Sequence, residues 1–244
     1  MELNSYSKKS KEYEKSLEVS YKKDNGIFYT DIELSRKIIE FLSIPSDTVI
    51  MDPCCGTGSF VLAAKEMGFS SVYGADIDKK AIELSKKEYG IESLKVIDTL
   101  ANSGDAILKQ FKLKEPVDFV IGNPPYAPMS TDIVIDTTDY LFLRNVKDSG
   151  SNLFVAALYR AFELTKTKGI ISYIIPKNLL HVASYGLLRR TIVNEKKIIS
   201  IVDIGRYFKN VRGEQIILTL QNSFEKDNNI EFYKYENNEF VKKL

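Results

Sequence analysis

The stretch VDFVIGNPPY, from Val117 to Tyr126, decides the fold of this chain. Its first six residues form an almost continuous apolar run, which is typical of a strand buried on both faces of a parallel sheet. Two prolines then end the strand, because proline cannot donate to a sheet ladder and it holds the preceding residue extended. We therefore predict that Asn123 lies at the carboxyl end of a parallel strand, where open α/β sheets bind ligands.

The tetrapeptide Asn123–Tyr126 combines hydrogen-bond acceptors with an aromatic ring. The side-chain oxygen of Asn123 and the carbonyl of Pro124 can accept the two hydrogens of an amino group. The ring of Tyr126 can stack on a planar heterocycle. This combination suits a planar base or amide that carries an amino group. A turn that merely ends the strand accounts for the same residues, so both interpretations stay open from this stretch alone.

A glycine-rich turn follows an earlier predicted strand. The strand Thr48–Asp52 leads into PCCGTGSF, residues 53–60, and then into a helix. This is the cofactor corner of a doubly wound sheet, because Gly56 and Gly58 let the backbone bend sharply and approach a ligand. The helix N-terminus offers N–H groups to an anion such as a carboxylate. No lysine follows the glycines and Asp52 would repel phosphates, so a phosphate loop is disfavoured.

Acidic residues follow the next two predicted strands. Asp76 ends the second strand, at about the spacing from the glycines that a ribose-binding acid requires, and it can accept both ribose hydroxyls. Asp78 is predicted to cap the helix Lys79–Tyr89. After the third strand, Asp105 is a candidate acceptor for an adenine amino group of a cofactor. It could equally be a helix cap, and Asp98 is its rival.

Composition limits the class of protein. The chain has 244 residues, 44% of them hydrophobic, and a formal net charge of +1, which suits a domain with a sizeable core. We find no apolar run of about 18 residues and no signal peptide, and we expect cytoplasmic residence. The adjacent Cys54 and Cys55 form neither a disulfide framework nor a metal quartet, so no metal is expected. The near-neutral charge argues against a self-sufficient nucleic-acid-binding protein.

We divide the chain into three parts. Residues 1–25 are predicted to form a charged helix, solvated and laced with ion pairs rather than docked. Residues 26–222 form the main domain, in which the polar stretch Ala127–Ser151 is predicted to be a long loop. Residues 223–244 are predicted to form a short hairpin around Asn237–Asn238, the start of a further extension.

Together these motifs resemble the gamma class of adenine-specific DNA methyltransferases of restriction–modification systems. The Asn-Pro-Pro-Tyr motif alone is shared with methyltransferases of protein glutamine and RNA guanine, and the motif at the amino end favours the DNA class. The matching motifs, in chain order, are Gly26–Thr30 for the N-terminal cofactor motif, Asp52–Phe60 for the S-adenosylmethionine loop, Gly74–Asp78 for the ribose acid, Asn123–Tyr126 for catalysis, and Tyr207–Phe208 for a second aromatic at the target base.

The resemblance implies a Rossmann-like methyltransferase fold: a mostly parallel seven-stranded sheet with an antiparallel hairpin at one edge and helices on both faces. It also implies methyl transfer from S-adenosylmethionine to the 6-amino group of a flipped-out adenine in double-stranded DNA. The implied catalytic residues are Asn123, Pro124, Tyr126 and Phe208. The implied cofactor-binding residues are Tyr29, Thr30, Asp52, Cys54, Gly56, Gly58, Asp76, Ile77, Asp105 and Asn123.

Two departures from the family pattern qualify this expectation. Asp31 stands where the family commonly has proline. Family members also carry a target-recognition domain after the catalytic half, whereas this sequence ends soon after the last predicted strand. We therefore expect DNA recognition to come from a further domain or another subunit. The alternatives are a methyltransferase acting on RNA or protein glutamine, and a non-catalytic cofactor-binding subunit of a larger restriction complex.

Overall fold

A nine-stranded sheet is the centre of the fold in the computed structural model, which describes residues 3–18, 20, 22, 26–129, 139–208, 213–225 and 229–243. Its order is β3-β2-β1-β4-β5-β7-β6-β8-β9. The strands are β1 (Ile50–Asp52), β2 (Val72–Asp76), β3 (Leu94–Val96), β4 (Val117–Gly122), β5 (Thr165–Pro176), β6 (Lys197–Gly205), β7 (Gln215–Gln221), β8 (Glu231–Glu236) and β9 (Glu239–Lys243).

Helices connect these strands and cover both faces of the sheet. The α-helices are α1 (Leu3–Ser16), α2 (Ile32–Leu42), α3 (Ser59–Glu66), α4 (Lys79–Tyr89), α5 (Gly104–Gln110), α6 (Tyr140–Asp148), α7 (Leu153–Leu164) and α8 (Gly186–Glu195). Two short 3₁₀ segments, Lys177–Leu180 and Ala183–Tyr185, precede α8. None of the helices in the described ranges is long and apolar enough to cross a membrane.

The strand order reverses between β1 and β4, and this reversal determines where a ligand can bind. β1 pairs in parallel with β2 on one side and with β4 on the other. The chain therefore leaves β1 toward β3 and returns to β4, so the connections after these two strands diverge. The crevice opens at the carboxyl ends of β1 and β4, as expected at a switch point of an open α/β sheet.

The mixed α/β fold predicted from the sequence is confirmed, with two differences in the sheet. It has nine strands rather than seven, because β8 and β9 extend it beyond β6. The predicted antiparallel pair of β6 and β7 forms, with β7 between β5 and β6, but this pair is not at the edge because β8 pairs with β6. The edge hairpin is β8–β9, whose turn has positive φ at Asn237 (52°) and Asn238 (65°), as a two-residue hairpin turn requires.

The apolar core divides into two clusters, one on each face of the sheet. Strand β4 contributes to both: Val120 packs in the cluster with α7, while Phe119 and Ile121 pack in the cluster with α2 and α3. Burial on both faces explains why β4 reads as a continuous apolar run rather than an alternating one. The central strands are thereby fixed on both sides, which makes their carboxyl ends a rigid base for a site.

Two segments differ from the sequence-based prediction. The polar stretch predicted as a loop contains helix α6, which buries Phe142 and Val146 at i, i+4 spacing, while residues 130–138 lie outside the described residues. At the amino end, helix α1 lies within the segment predicted as a solvated helix, and one face of it is docked: Tyr6 and Ser10 are buried, while Lys8 and Lys11 are exposed. Residues 209–212, which follow the Tyr207–Phe208 motif, lie outside the described residues.

Candidate functional site

A cavity opens at the carboxyl ends of β1, β2, β3 and β4. Its wall is formed by the segment before α2, the glycine-rich turn, the two loops after β2 and β3, and the turn after β4. The lining residues are Gly26, Ile27, Phe28, Tyr29, Thr30, Asp52, Pro53, Cys54, Cys55, Gly56, Ser59, Phe60, Asp76, Ile77, Asp78, Ile97, Asp98, Thr99, Leu100, Asn123, Pro125 and Leu153.

Asn123 is held in one orientation by three hydrogen bonds. Its Nδ2 donates to the carbonyl of Phe28 at 2.9 Å and to Oγ1 of Thr30 at 3.1 Å. Its Oδ1 accepts from the hydroxyl of Tyr126. Because the two acceptors fix the side of the amide that carries nitrogen, the oxygen is fixed on the opposite side, and one of its two lone pairs remains for another donor.

The segment before α2 packs directly against the turn that follows β4. The amide of Tyr126 donates to the carbonyl of Gly26 at 3.1 Å. Gly26 has φ +62°, and a Cβ there would lie 2.3 Å from the amide nitrogen of Ala127, so no other residue fits without a shift. These two stretches belong to separate motifs of the sequence, and in the fold they are in backbone contact.

Tyr126 is turned toward the protein rather than lining the cavity. Its ring lies 5.8 Å from that of Phe28, and its hydroxyl oxygen is 3.1 Å from the carbonyl of Ile174 in addition to its bond with Asn123. Burial raises the pKa of this hydroxyl well above its usual value. The phenol is therefore a neutral donor here, and its stacking on a target base stays a prediction.

The glycine-rich turn is joined to β2 through the carboxylate of Asp76. The amide of Gly56 donates to one oxygen at 2.6 Å and the amide of Asp78 to the other at 2.9 Å. Gly56 has φ +53°, and a Cβ there would lie 2.6 Å from the ring of Tyr29. Burial raises the pKa of Asp76, and the two amide donors oppose that shift. Asp76 thus orients the turn and presents oxygens to the same cavity.

Asp52 carries an unpaired acceptor in the buried wall of the cavity. It is 1% exposed, and its Oδ1 accepts from the amide of Cys54 at 3.1 Å. Its Oδ2 is buried and has no hydrogen-bond partner in the described part of the chain. Burial raises the pKa of this carboxyl well above its ordinary value, with the nearby charge of Asp76 adding to the shift. An unsatisfied acceptor of this kind fits a cationic or N–H-bearing group of a ligand.

The loop after β3 supplies the opposite wall and separates the two rival aspartates. Asp98 lines the cavity, and its Oδ1 accepts from the amides of Leu100 and Ala101. Asp105 is exposed in the first turn of α5, a helix capped by Ser103, and it belongs to a different surface depression. Asp105 therefore lies apart from the lining residues, because the chain has already turned away into α5, and its contact with a cofactor stays a prediction.

The other predicted site residues divide into those that line the cavity and those that support it. Tyr29, Thr30, Cys54 and Ile77 line it, and the side chain of Ile77 is 66% exposed. Gly58 does not line it: it is the N-cap residue of α3, with φ +82°.

Two further predicted catalytic residues, like Tyr126, do not line the cavity. Pro124 is buried behind the turn. Phe208 is half-buried, with its ring edge-on to Tyr207 at 5.3 Å. Their proposed roles stay predictions.

Several lining residues were not assigned to the site from the sequence. Asp78 was predicted only as a helix cap; it does cap α4, through the amides of Lys80 and Ala81, and it also lines the cavity. Thr99 and Leu153 carried no motif. Their positions, just after β3 for Thr99 and at the start of α7 for Leu153, are the one signal that could have identified them. Among the described residues, no group of three or more His, Cys, Asp or Glu side chains could hold a metal ion.

One family model matches most of the chain. The sequence profile of the N-6 DNA methylase family matches residues 10–243. The type II methyltransferase M.VspI of Vibrio sp. (strain 343) is 29% identical over 215 residues, which cover 86% of this chain and 51% of that protein. The modification methylase CviBIII of Paramecium bursaria Chlorella virus NC1A is 27% identical over 198 residues, 79% of this chain and 48% of that one.

The fold is also found among solved structures. A modification subunit of a putative type I restriction enzyme from Vibrio vulnificus YJ016 superposes with a TM-score of 0.69 at 17% identity, over 96% of this chain and 52% of that one. This likeness concerns the fold. The chain spans about half the length of these relatives.

Proposed function

The chain belongs to the N-6 DNA methylase family, and on this premise we propose that it transfers the methyl group of S-adenosylmethionine to the 6-amino group of adenine in DNA. In this proposal it is the catalytic part of the modification component of a restriction–modification system. A domain or subunit outside residues 1–244 recognises the DNA sequence, since the chain spans about half the length of its relatives.

One observation carries the proposal: Asn123, at the end of β4, lines the same cavity as the glycine-rich turn and Asp76. Methyl transfer requires an amine and an activated methyl group to meet at one place. The residues expected to hold each of them come from different strands, and the strand reversal between β1 and β4 brings those strands together. This juxtaposition supports methyl transfer over a role in cofactor binding alone.

The chemistry of the lining residues fits S-adenosylmethionine. Asp76 offers carboxylate oxygens to the ribose hydroxyls, and the exposed Ile77 beside it offers an apolar surface to the adenine ring. Asp98, rather than Asp105, accepts from the adenine amine. The unpaired Oδ2 of Asp52 accepts from the ammonium group of the methionine part, together with Thr30. When bound, the cofactor supplies a methyl group on a positively charged sulfur.

Asn123 prepares the target amine for attack. The lone pair of an adenine 6-amino group is delocalised into the ring, so the amine is a poor nucleophile. The oxygens of Asn123 and Pro124 accept its two hydrogens, which localises the lone pair and stabilises the positive charge that develops on nitrogen. With the cofactor bound, the lone pair would form the new N–C bond as the methyl–sulfur bond breaks and its electron pair stays on the sulfur, and the nitrogen would then lose one proton to solvent. The bonds from Asn123 to Phe28 and Thr30 keep its oxygen in place beforehand.

In this proposal, aromatic side chains stabilise the target base after it has flipped out of the DNA duplex. Flipping a base out of a duplex costs a few kcal/mol. Stacking returns about 1–3 kcal/mol per base, and Tyr126 and Phe208 are the aromatics proposed for it. Tyr126 exchanges its present contact with Asn123 for a face-on contact with the base. The Asn123 oxygen is then available to the amine.

Incubation with methyl-labelled S-adenosylmethionine tests the proposal. DNA, tRNA and a protein mixture are offered separately, with the unaltered chain and with Asp76→Ala. We expect label in DNA, and a loss of cofactor affinity in Asp76→Ala, measured by calorimetry. Label in RNA or protein would contradict the DNA assignment, and unchanged affinity in Asp76→Ala would remove this residue from the site.

A further inference from the structure

Helix α1 rests on the glycine-rich turn through one face. Tyr6, Ser10 and Tyr13 follow the spacing i, i+4, i+7 and so share that face of an otherwise charged helix. Tyr6 and Ser10 are buried, while Lys8, Lys11 and other charged residues of α1 are exposed. An amphipathic face made of hydroxyl-bearing side chains, rather than of leucine or isoleucine, indicates that α1 docks through specific hydrogen bonds.

These hydrogen bonds converge on Thr57, the residue between the two glycines of the turn. The hydroxyl of Tyr6 donates to the Thr57 carbonyl at 3.0 Å, and Oγ of Ser10 lies 2.7 Å from Oγ1 of Thr57. Ser85, on α4, donates to the same carbonyl at 2.7 Å. Thr57 is 1% exposed, so these partners replace water around its peptide. The turn is thus held from outside by α1 and α4, and from the cavity side by Asp76.

A second contact of α1 reaches two lining residues of the cavity. The hydroxyl of Tyr13 donates to Oδ2 of Asp78 at 2.7 Å. Its ring lies edge-on to that of Tyr29, with centroids 6.2 Å apart. Lys9 also forms an ion pair with Glu88 of α4. The helix therefore touches the turn, Asp78 at the start of α4 and Glu88 near its end.

We propose that α1 is part of the cofactor site, with Tyr6, Ser10 and Tyr13 as positioning residues for the glycine-rich turn and for Asp78. This inference rests on the proposed function, because it takes S-adenosylmethionine as the ligand of the cavity. The turn tolerates little displacement, since the Gly56 amide must reach Asp76. Loss of the α1 contacts therefore loosens the turn and weakens cofactor binding. By linkage, the cofactor strengthens the docking of α1 by the same factor.

Binding of S-adenosylhomocysteine to the full chain and to three single variants tests this coupling. Tyr6→Phe and Ser10→Ala each remove one hydroxyl group that contacts Thr57 and leave the apolar packing in place. Lys8→Ala, on the exposed side of the same helix, is the matched control. Titration calorimetry is carried out well below the melting temperature of every variant. We expect affinity about two- to tenfold weaker in the first two variants, the effect of one net hydrogen bond, and unchanged affinity in the control.

Limited trypsin digestion measures the reciprocal effect. Lys8, Lys11 and Lys15 are exposed cleavage sites on α1, and cleavage requires the helix to leave the surface and unfold. S-adenosylhomocysteine should slow cleavage at these sites in the unaltered chain. The slowing should be smaller in Tyr6→Phe, because part of the coupling is lost.

The outcomes separate this inference from the proposal on which it rests. If the unaltered chain fails to bind S-adenosylhomocysteine, the cofactor assignment itself is overturned, and the inference with it. If the unaltered chain binds, but Tyr6→Phe and Ser10→Ala only lower the melting temperature and bind as tightly as Lys8→Ala, the inference alone is overturned. α1 would then be a stabilising element without a role at the site.

Discussion

Replacing Arg160 with methionine tests how the wall of the cavity is held. Arg160, on α7, is 1% exposed and its Nε donates to the carbonyl of Thr99 at 3.1 Å. Its Nη1 is paired with Asp139 at 3.3 Å and with Glu163. Its guanidinium lies 4.0 Å from the ring centroid of Phe142. Methionine keeps the apolar contact with this ring and removes the polar ones.

The expected loss of stability depends on how exposed the hydrogen-bond and ion-pair partners of Arg160 are. The buried Thr99 carbonyl is left without its donor, which costs about 1–3 kcal/mol. The side chains of Asp139 and Glu163 are 23% and 38% exposed, so water replaces part of their contacts and the loss is about 1 kcal/mol. The sum, about 2–4 kcal/mol, lowers the melting temperature of a domain of this size by about 4–16 °C.

Thermal unfolding of Arg160→Met beside Arg144→Ala is the assay. Arg144 lies on α6 in an ion pair with Asp148 at 3.7 Å, and its side chain is 64% exposed, so its removal costs at most about 0.5 kcal/mol. Because Thr99 lines the cavity, Arg160→Met should also bind S-adenosylhomocysteine more weakly than the control. A fall in melting temperature equal to that of Arg144→Ala would refute the reasoning.

Three further predictions concern the cavity itself. Asp52→Asn should raise the melting temperature of the cofactor-free protein, because burial raises the pKa of Asp52 above 3.8 and ionisation of this carboxyl therefore destabilises the fold. The gain in melting temperature should grow as the pH rises above 3.8. A change in melting temperature that scanning fluorimetry finds to be independent of pH would contradict this prediction. Asp98→Ala should weaken cofactor binding in calorimetry while Asp105→Ala leaves it unchanged, and the reverse result would restore Asp105 to the site. Tyr126→Ala should lower DNA turnover without changing cofactor affinity. Tyr126→Phe keeps the ring and should retain most of the turnover. Equal losses of turnover in both variants would instead assign the effect to the hydrogen bond between the Tyr126 hydroxyl and Asn123.

The sequence was sufficient to predict the structure of a segment where a local pattern of residues determines it. The run before Asn123 predicted β4 and its end at the prolines, since burial on both faces and the lack of a proline N–H act locally. Asp78 was predicted to cap α4 and does so, through the amides of Lys80 and Ala81. The turn at Asn237–Asn238 likewise follows from residues that tolerate positive φ.

The sequence was insufficient to predict the structure where contacts between distant segments determine the position of a residue or helix. Asp98 and Asp105 both follow β3, and only the direction of the chain into α5 separates the one at the cavity from the exposed one. The docking of α1 depends on Thr57, some fifty residues away, so its charged composition predicted solvation instead. Helix α6 has only Phe142 and Val146 as buried anchors, too few to give a clear helical period in a polar stretch.

Product analysis of Asn123→Ala tests whether Asn123 prepares an adenine amine for methyl transfer. An adenine-rich single-stranded oligonucleotide at high concentration removes the need for base flipping and lowers the need for sequence recognition. After incubation with S-adenosylmethionine, its nucleosides are analysed by mass spectrometry. We predict N6-methyldeoxyadenosine with the unaltered chain and none with Asn123→Ala, although the variant still binds S-adenosylhomocysteine. The same amount of N6-methyldeoxyadenosine from both proteins, or a methyl group on another base, would contradict the account.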